Sequence, residues 1–236
     1  MSLIDSDDNK NKILKKFYEI SANQGCDDQT LEQSFTECNF DPKLKDIFFE
    51  NGLIDLIDFA IDKIDEQTKL ELDQFDFSNL GISAKIRKII QIKLKIIDQN
   101  YAAFCSIASY LRNNFKLTSK ITPLFIKKSY QFADFTWYEI GDKSTDYNFY
   151  SKRILLSKIH LKTLLYFSKN NSIPNSLKYF DSQITNIIIF SKVKNELKEI
   201  FNFISCQSDK NNVQYRKDFL KQQISKLPFL RLYNGK

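Results

Sequence analysis

The chain has 236 residues, 42% of them hydrophobic, enough for one large domain or two small ones around a sizeable core. Five Gly, four Pro and only two valines, Val193 and Val213, argue against a β-rich fold, and no apolar run approaches the ~20 residues that span a membrane. The net charge of +6 is unevenly divided: residues 1–80 carry 8 Lys/Arg against 19 Asp/Glu, and the remainder carries 27 against 10.

In chain order, residues 1–9 read as a disordered N-terminus, and Lys12 to Gln24 as a first helix with Ile13, Leu14, Phe17, Tyr18 and Ile20 on one face. A short helix follows near Gln29 to Thr36. Asp41-Pro42 is a cap followed by proline at the first helical position, and Asn51-Gly52 is a stop. Three helices in about 50 residues, then a longer one from Leu53 to about Leu72, have the layout of a helix-turn-helix head. Ser83 opens a strongly amphipathic helix with Ile86, Ile89, Ile90, Leu94 and Ile97 on one side and Lys85, Lys88 and Lys95 off that stripe. Tyr101 to Arg112 is a further helix. Thr122-Pro123 starts the next, which carries Phe125, Ile126, Tyr130, Ala133 and Trp137. After a polar turn, a helix is expected from about Asp146 to Lys169, then a loop over Asn170 to Ser176, then a last long helix to Ile204. Nine or ten helices with short connections make an all-α domain over 10–204, with a head at 10–52, a body at 53–204 and a tail at 205–236.

The turn itself, Asp134 to Arg153, reads DFTWYEIGDKSTDYNFYSKR. It holds the only tryptophan and crowds Tyr138, Tyr147, Phe149 and Tyr150 around a polar corner. Gly141 is suited to the left-handed conformation that closes a helix. Asp142, Ser144, Thr145 and Asp146 are good caps for the next one. Aromatic side chains dominate interface cores, so their density here suggests a contact surface; the plainer reading is two helix ends packed together.

This segment resembles the coenzyme Q biosynthesis lipid-binding proteins, which have a TetR-like fold and the pattern D-x-x-W-x-x-x-G-D-x-S-T-D-x-N-W-Y-x-x-R. Asp134, Trp137, Gly141, Asp142, Ser144, Thr145, Asp146, Asn148, Tyr150 and Arg153 match it, and Phe149 stands where the pattern has its second Trp. The resemblance implies a homodimer that binds an isoprenoid quinone intermediate, or a phospholipid, with no cofactor. It also implies presentation of that lipid to the diiron hydroxylase that acts on demethoxyubiquinone. Trp137, Asp142, Thr145, Asp146, Asn148, Phe149, Tyr150 and Arg153 are then the expected docking residues. In this scheme Trp137 buttresses the turn, Phe149 and Tyr150 project into the partner, and Arg153 pairs with Asp142 or Asp146.

The middle helices are the expected lipid walls, with Phe104, Ile107, Ala108 and Leu111 on one face and Phe125, Ile126 and Tyr130 on another. Periodicity alone does not distinguish a filled core from a lined cavity. In the tail, Phe219, Leu220, Ile224 and Leu227 form a stripe flanked by Lys217, Lys221 and Lys226. Such a helix lies at an anionic membrane surface or docks on the body.

A TetR-type ligand-responsive repressor is the alternative. Its DNA-binding role is opposed by nine acids between Cys26 and Ala60, against Lys43 and Lys45 alone. Such a head would repel a duplex, whose binding requires phosphate neutralisation. His160 is the sole histidine, too few for a ferritin-like diiron centre. It sits at helical spacing from Ser157 with no positioned acid, and reads as a semi-buried surface residue and not a catalytic group. Nothing in the sequence supports an enzyme. Cys26, Cys38, Cys105 and Cys206 are scattered, without CxxC, as in a reducing compartment. The acidic N-terminus resembles neither a signal nor an Arg-rich transit peptide. The expected location is a bacterial cytoplasm, peripheral at the inner membrane, or the matrix side of the mitochondrial inner membrane in a eukaryote.

Overall fold

The computed structural model describes residues 7–114, 121–143 and 147–185. The chain divides into two compact units, 1–180 and 181–236, so the boundary falls inside the stretch expected to be body. Within the first unit, α1 (Asp7–Gln24), α2 (Asp28–Glu37), a 3-10 turn (Pro42–Leu44) and α3 (Lys45–Phe48) form the head. The body comprises α4 (Leu53–Leu72), α5 (Ile82–Asp98), α6 (Tyr101–Asn114), α7 (Ile121–Glu139) and α8 (Tyr147–Asn170). The fold is all-α and TetR-like in this order of elements.

Local chemistry accounts for the breaks. Gly25 takes φ +104° after α1, and Asp27 caps α2 by accepting a hydrogen bond from the Thr30 N–H at 2.8 Å. Asp41 caps the 3-10 turn through the Lys43 N–H, with Pro42 in its first turn. Two boundaries differ from the sequence reading. α1 begins at Asp7, so residues 7–9 are helical, with Asp7 and Asp8 in the first turn where acids favour a helix start. Residues 173–185 are also helical, so the expected loop over 170–176 shrinks to Asn171 and Ser172. Pro174 lies in that helix's first turn, where its missing N–H costs nothing.

The head does not have a core of its own. Phe35, Phe48 and Phe49 pack with Ile13, Leu14 and Phe17 of α1, with Leu53, Leu56, Ile57 and Ala60 of α4, and with Ile107 of α6. α5 runs through the interior and touches α4, α6, α7 and α8. Its expected stripe, Ile86, Ile89, Ile90, Leu94 and Ile97, is buried, and each such side chain contributes roughly 1.5–3 kcal/mol. No helix among the described residues is long and apolar enough to cross a membrane.

Candidate functional site

α1, α4, α5, α6, α7 and α8 line a partly open cavity of about 460 Å³. On α6 the expected face lines it throughout: Phe104, Ile107, Ala108 and Leu111. Phe125 joins them from α7. Ile126 and Tyr130 do not line it, and Ile126 is 59% exposed. Successive helical residues are turned by about 100°, so Ile126 cannot share the face of Phe125, which belongs instead to Lys128 and Ser129 at i+3 and i+4. Leu14, Ile57, Ile61, Ile64, Ile96 and Ile97 complete most of the apolar wall.

A polar cluster, unforeseen in the sequence, interrupts that wall. Lys93 and Lys128 are both buried, and acids spaced along one face of α4 receive them. Lys93 pairs with Asp65. Lys128 pairs with Asp58 at 2.7 Å and Asp62 at 2.6 Å. Burial pulls the Lys93 pKa below its ordinary value against the opposing pull of Asp65. For Lys128 burial works the same way, but hydrogen bonds to Asp58 and Asp62 outweigh it and raise the pKa. The sequence signal was present: acids at 58, 62 and 65 share a helical face, and Lys93 falls inside the α5 stripe, four residues after Ile89.

His160 is 4% exposed, not semi-buried at the surface. Its partner is Ser129 of α7, whose Oγ lies 3.0 Å from Nδ1. The Ser157 hydroxyl instead donates to the Ile154 carbonyl. The imidazole stacks on Phe132 at 4.2 Å, and Lys93 Nζ sits 3.8 Å from the centroid of the same phenyl ring. Burial first, and the Lys93 charge second, hold the His160 pKa well below 6.5, so the ring is neutral at pH 7. As pH falls through 6.5, the unfolded chain takes up a proton that the native imidazole refuses, and folding stability declines. Because this is the sole histidine, His160→Gln isolates the effect. The drop in Tm between about pH 7 and pH 5 is expected to be smaller in the variant, as thermal unfolding at both pH values will show; equal drops would mean the imidazole titrates normally in the native state.

The aromatic turn is the second candidate. Gly141 (φ +81°) closes α7: its N–H bonds the Tyr138 carbonyl at 3.0 Å and the Asp142 N–H bonds that of Trp137 at 3.0 Å, a Schellman arrangement. Arg153, 3% exposed, reaches back across the turn. It pairs with Asp134 through Nε and with Asp142 through Nη1 at 3.2 Å, and Nη1 also donates to the Phe149 carbonyl at 3.1 Å. Its guanidinium lies 3.4 Å from the centroid of the Phe149 ring. Lys152 pairs with Asp142 at 2.8 Å and lies over Trp137.

Arg153, Asp142, Trp137 and Phe149 thus tie the corner together. Phe149 is half-buried beneath Arg153 and is not a free projecting side chain. Among the described residues, Tyr138 (77% exposed), Tyr150 (59%) and Ile154 (58%) are the most exposed large side chains near the turn. Thr145, Asp146 and the Asn148 side chain lie outside the described residues, as do Lys217, Phe219, Leu220, Lys221, Ile224, Lys226 and Leu227 of the tail.

α3, where a reading helix would stand, has four residues, and Lys45 is paired with Glu32. Cys26 is pushed up to about 12, chiefly by burial, so this thiol stays protonated and unreactive. Among the described residues no group of three or more His, Cys, Asp or Glu is arranged to hold a metal ion.

Residues 122–190, which include nearly all of α7, the aromatic turn and α8, match the family model described as COQ9. Over 198 residues the chain is 23% identical to a Dictyostelium discoideum protein described as "Probable ubiquinone biosynthesis protein coq9, mitochondrial". That match covers 80% of this chain and 63% of the relative's length.

Proposed function

We propose, from the match of residues 122–190 to the COQ9 family model and the likeness to a ubiquinone biosynthesis protein, that this chain is a COQ9-type, non-enzymatic lipid-binding accessory protein of ubiquinone biosynthesis. It holds an isoprenoid quinone intermediate, or a phospholipid in its place, and presents it to the diiron hydroxylase at a membrane. The observation that carries this reading is the cavity: about 460 Å³, walled mostly by Ile, Leu and Phe with a small polar cluster, the composition expected of a site for an apolar chain with one polar end. Activity as a repressor finds no comparable support in the short, acidic head.

The partner surface in this proposal is the outward face of the turn, Tyr138, Tyr150 and Ile154, held at a set angle by the Arg153 cluster beneath it. The relative's name places that protein in mitochondria; the matrix side of the inner membrane is the proposed location here, with the basic 217–227 segment touching the bilayer and a homodimer as the working unit.

Native purification, organic extraction and mass spectrometry of the extract test the proposal. Leu111→Trp, which puts an indole into the cavity, is expected to reduce co-purifying isoprenoid or phospholipid by about tenfold, with stability changed by less than the ~1–3 kcal/mol of an overpacked core. A wild-type protein that emerges free of lipid, stable and cooperative, would remove the cavity from the function.

A further inference from the structure

His160 is built to accept a hydrogen bond that no described residue supplies. The Ser129 hydroxyl donates its single proton to the Ser157 carbonyl at 2.8 Å. Its 3.0 Å contact with His160 Nδ1 must therefore be one in which the serine oxygen accepts and Nδ1–H donates. In a neutral ring with its proton on Nδ1, Nε2 is a bare lone pair. Nε2 is buried and has no hydrogen-bond partner among the described residues, while the side chain lines the cavity. Stacking on Phe132 holds the ring in place. The ammonium of Lys93, the cation that acts on this imidazole, is paired with Asp65 and lies over the Phe132 ring. A buried acceptor left unsatisfied costs free energy, and a ligand donor would recover it.

We propose that the cavity's ligand carries a hydroxyl at its polar end and donates its proton to His160 Nε2. This rests on the lipid-cavity reading and narrows it. A lipid whose aromatic head exists both as a phenol or quinol and as a carbonyl-only quinone binds in the hydroxylated form, because a carbonyl oxygen set against Nε2 opposes two lone pairs. Ser129 is the positioning residue that selects the tautomer; His160 is the contact.

The test uses the full chain, stripped of lipid, and two probes that differ in one donor: para-octylphenol and its methyl ether, para-octylanisole. Calorimetric titration is expected to show the phenol binding about tenfold tighter. His160→Phe keeps the ring stack and equalises the two. Ser129→Ala removes the acceptor that holds the proton on Nδ1, so the preference for the phenol shrinks. Nitrogen-15 spectra of the sole histidine give a second readout independent of any variant's folding. They should report Nδ1–H in the free protein and a shift of Nε2 with the phenol but not with the ether. Equal affinity of the wild type for both probes, with both excluded by Leu111→Trp, would leave the cavity standing and overturn the hydroxyl assignment. An Nε2–H tautomer in the free protein would also overturn it. If neither probe binds the wild type, the cavity reading itself falls and takes this inference with it.

Discussion

Arg153→Ala is expected to cost about 3 kcal/mol of folding stability, the lower end of what removing one partner from a buried ion pair does. Two carboxylates are affected unequally. Asp134 is half-exposed and is rehydrated cheaply, whereas the Asp142 side chain is 8% exposed and loses its buried partner. Lys152 still reaches Asp142 at 2.8 Å, which is why the upper end of the range is not expected. The Phe149 carbonyl loses a donor and its ring loses the guanidinium above it. In a chain of this size the change corresponds to a fall in Tm of about 6–12 °C. Arg153→Lys keeps the charge without the planar fork that spans both acids, so it restores less than half. Tyr150→Ala, at an exposed position beside the same cluster, stays within ~0.5 kcal/mol of wild type. Thermal unfolding of the three variants decides the matter. A loss below about 1 kcal/mol for Arg153→Ala would mean that the turn is held by its backbone hydrogen bonds alone, and the guanidinium would be free to serve as a docking contact.

Phe35→Ala is expected to cost about 3–5 kcal/mol and to destabilise the head and body together. Phe35 is fully buried and meets Phe48 edge-on at 5.3 Å, with Phe49 at 6.3 Å and Phe40 at 6.4 Å. Alanine removes the ring at the centre of these contacts and leaves a hole that helices anchored at both ends fill only in part. The same core includes Leu56 and Ile57 of α4 and Ile107 of α6. Melting the head therefore strips cover from helices that also wall the cavity. The sole tryptophan, Trp137, is far along the chain in the body's turn and provides a local probe. Its fluorescence transition in Phe35→Ala should coincide with loss of helix by circular dichroism, both shifted by the same amount. Separate transitions, with Trp137 unmoved, would instead mean that the head at 10–52 is an independent unit.

Much of the fold was legible in the residues because helix starts and stops are local events. The α4 limits, Leu53 and Leu72, are those expected from Asn51-Gly52 and the apolar spacing. Asp41-Pro42 and Gly141 act where a cap and a left-handed residue were needed. A proline at 174 was overread as a loop because proline fits the first turn of a helix as well as it fits a coil. The face of α6 that lines the cavity was also legible, since Phe104, Ile107, Ala108 and Leu111 recur at helical spacing and a single helix can present them only together.

The sequence by itself determined an all-α chain, most of its helix boundaries, the motif-bearing turn and which stripe of the α5 and α6 helices is apolar. These depend on dihedral preferences, capping and a 3.6-residue period, all of which act within a few residues. The tertiary structure alone decided that Phe125 and not Ile126 faces the cavity, and that α4 acids receive Lys93 and Lys128. It also chose Asp142 for Arg153 and added Asp134, and gave His160 its neighbours Ser129 and Phe132. The pairings among these join residues on separate elements of the chain. Their meeting depends on the rotation and axial offset of one helix against another, which are set by side-chain packing across the whole core; local spacing marks a face but not its partner.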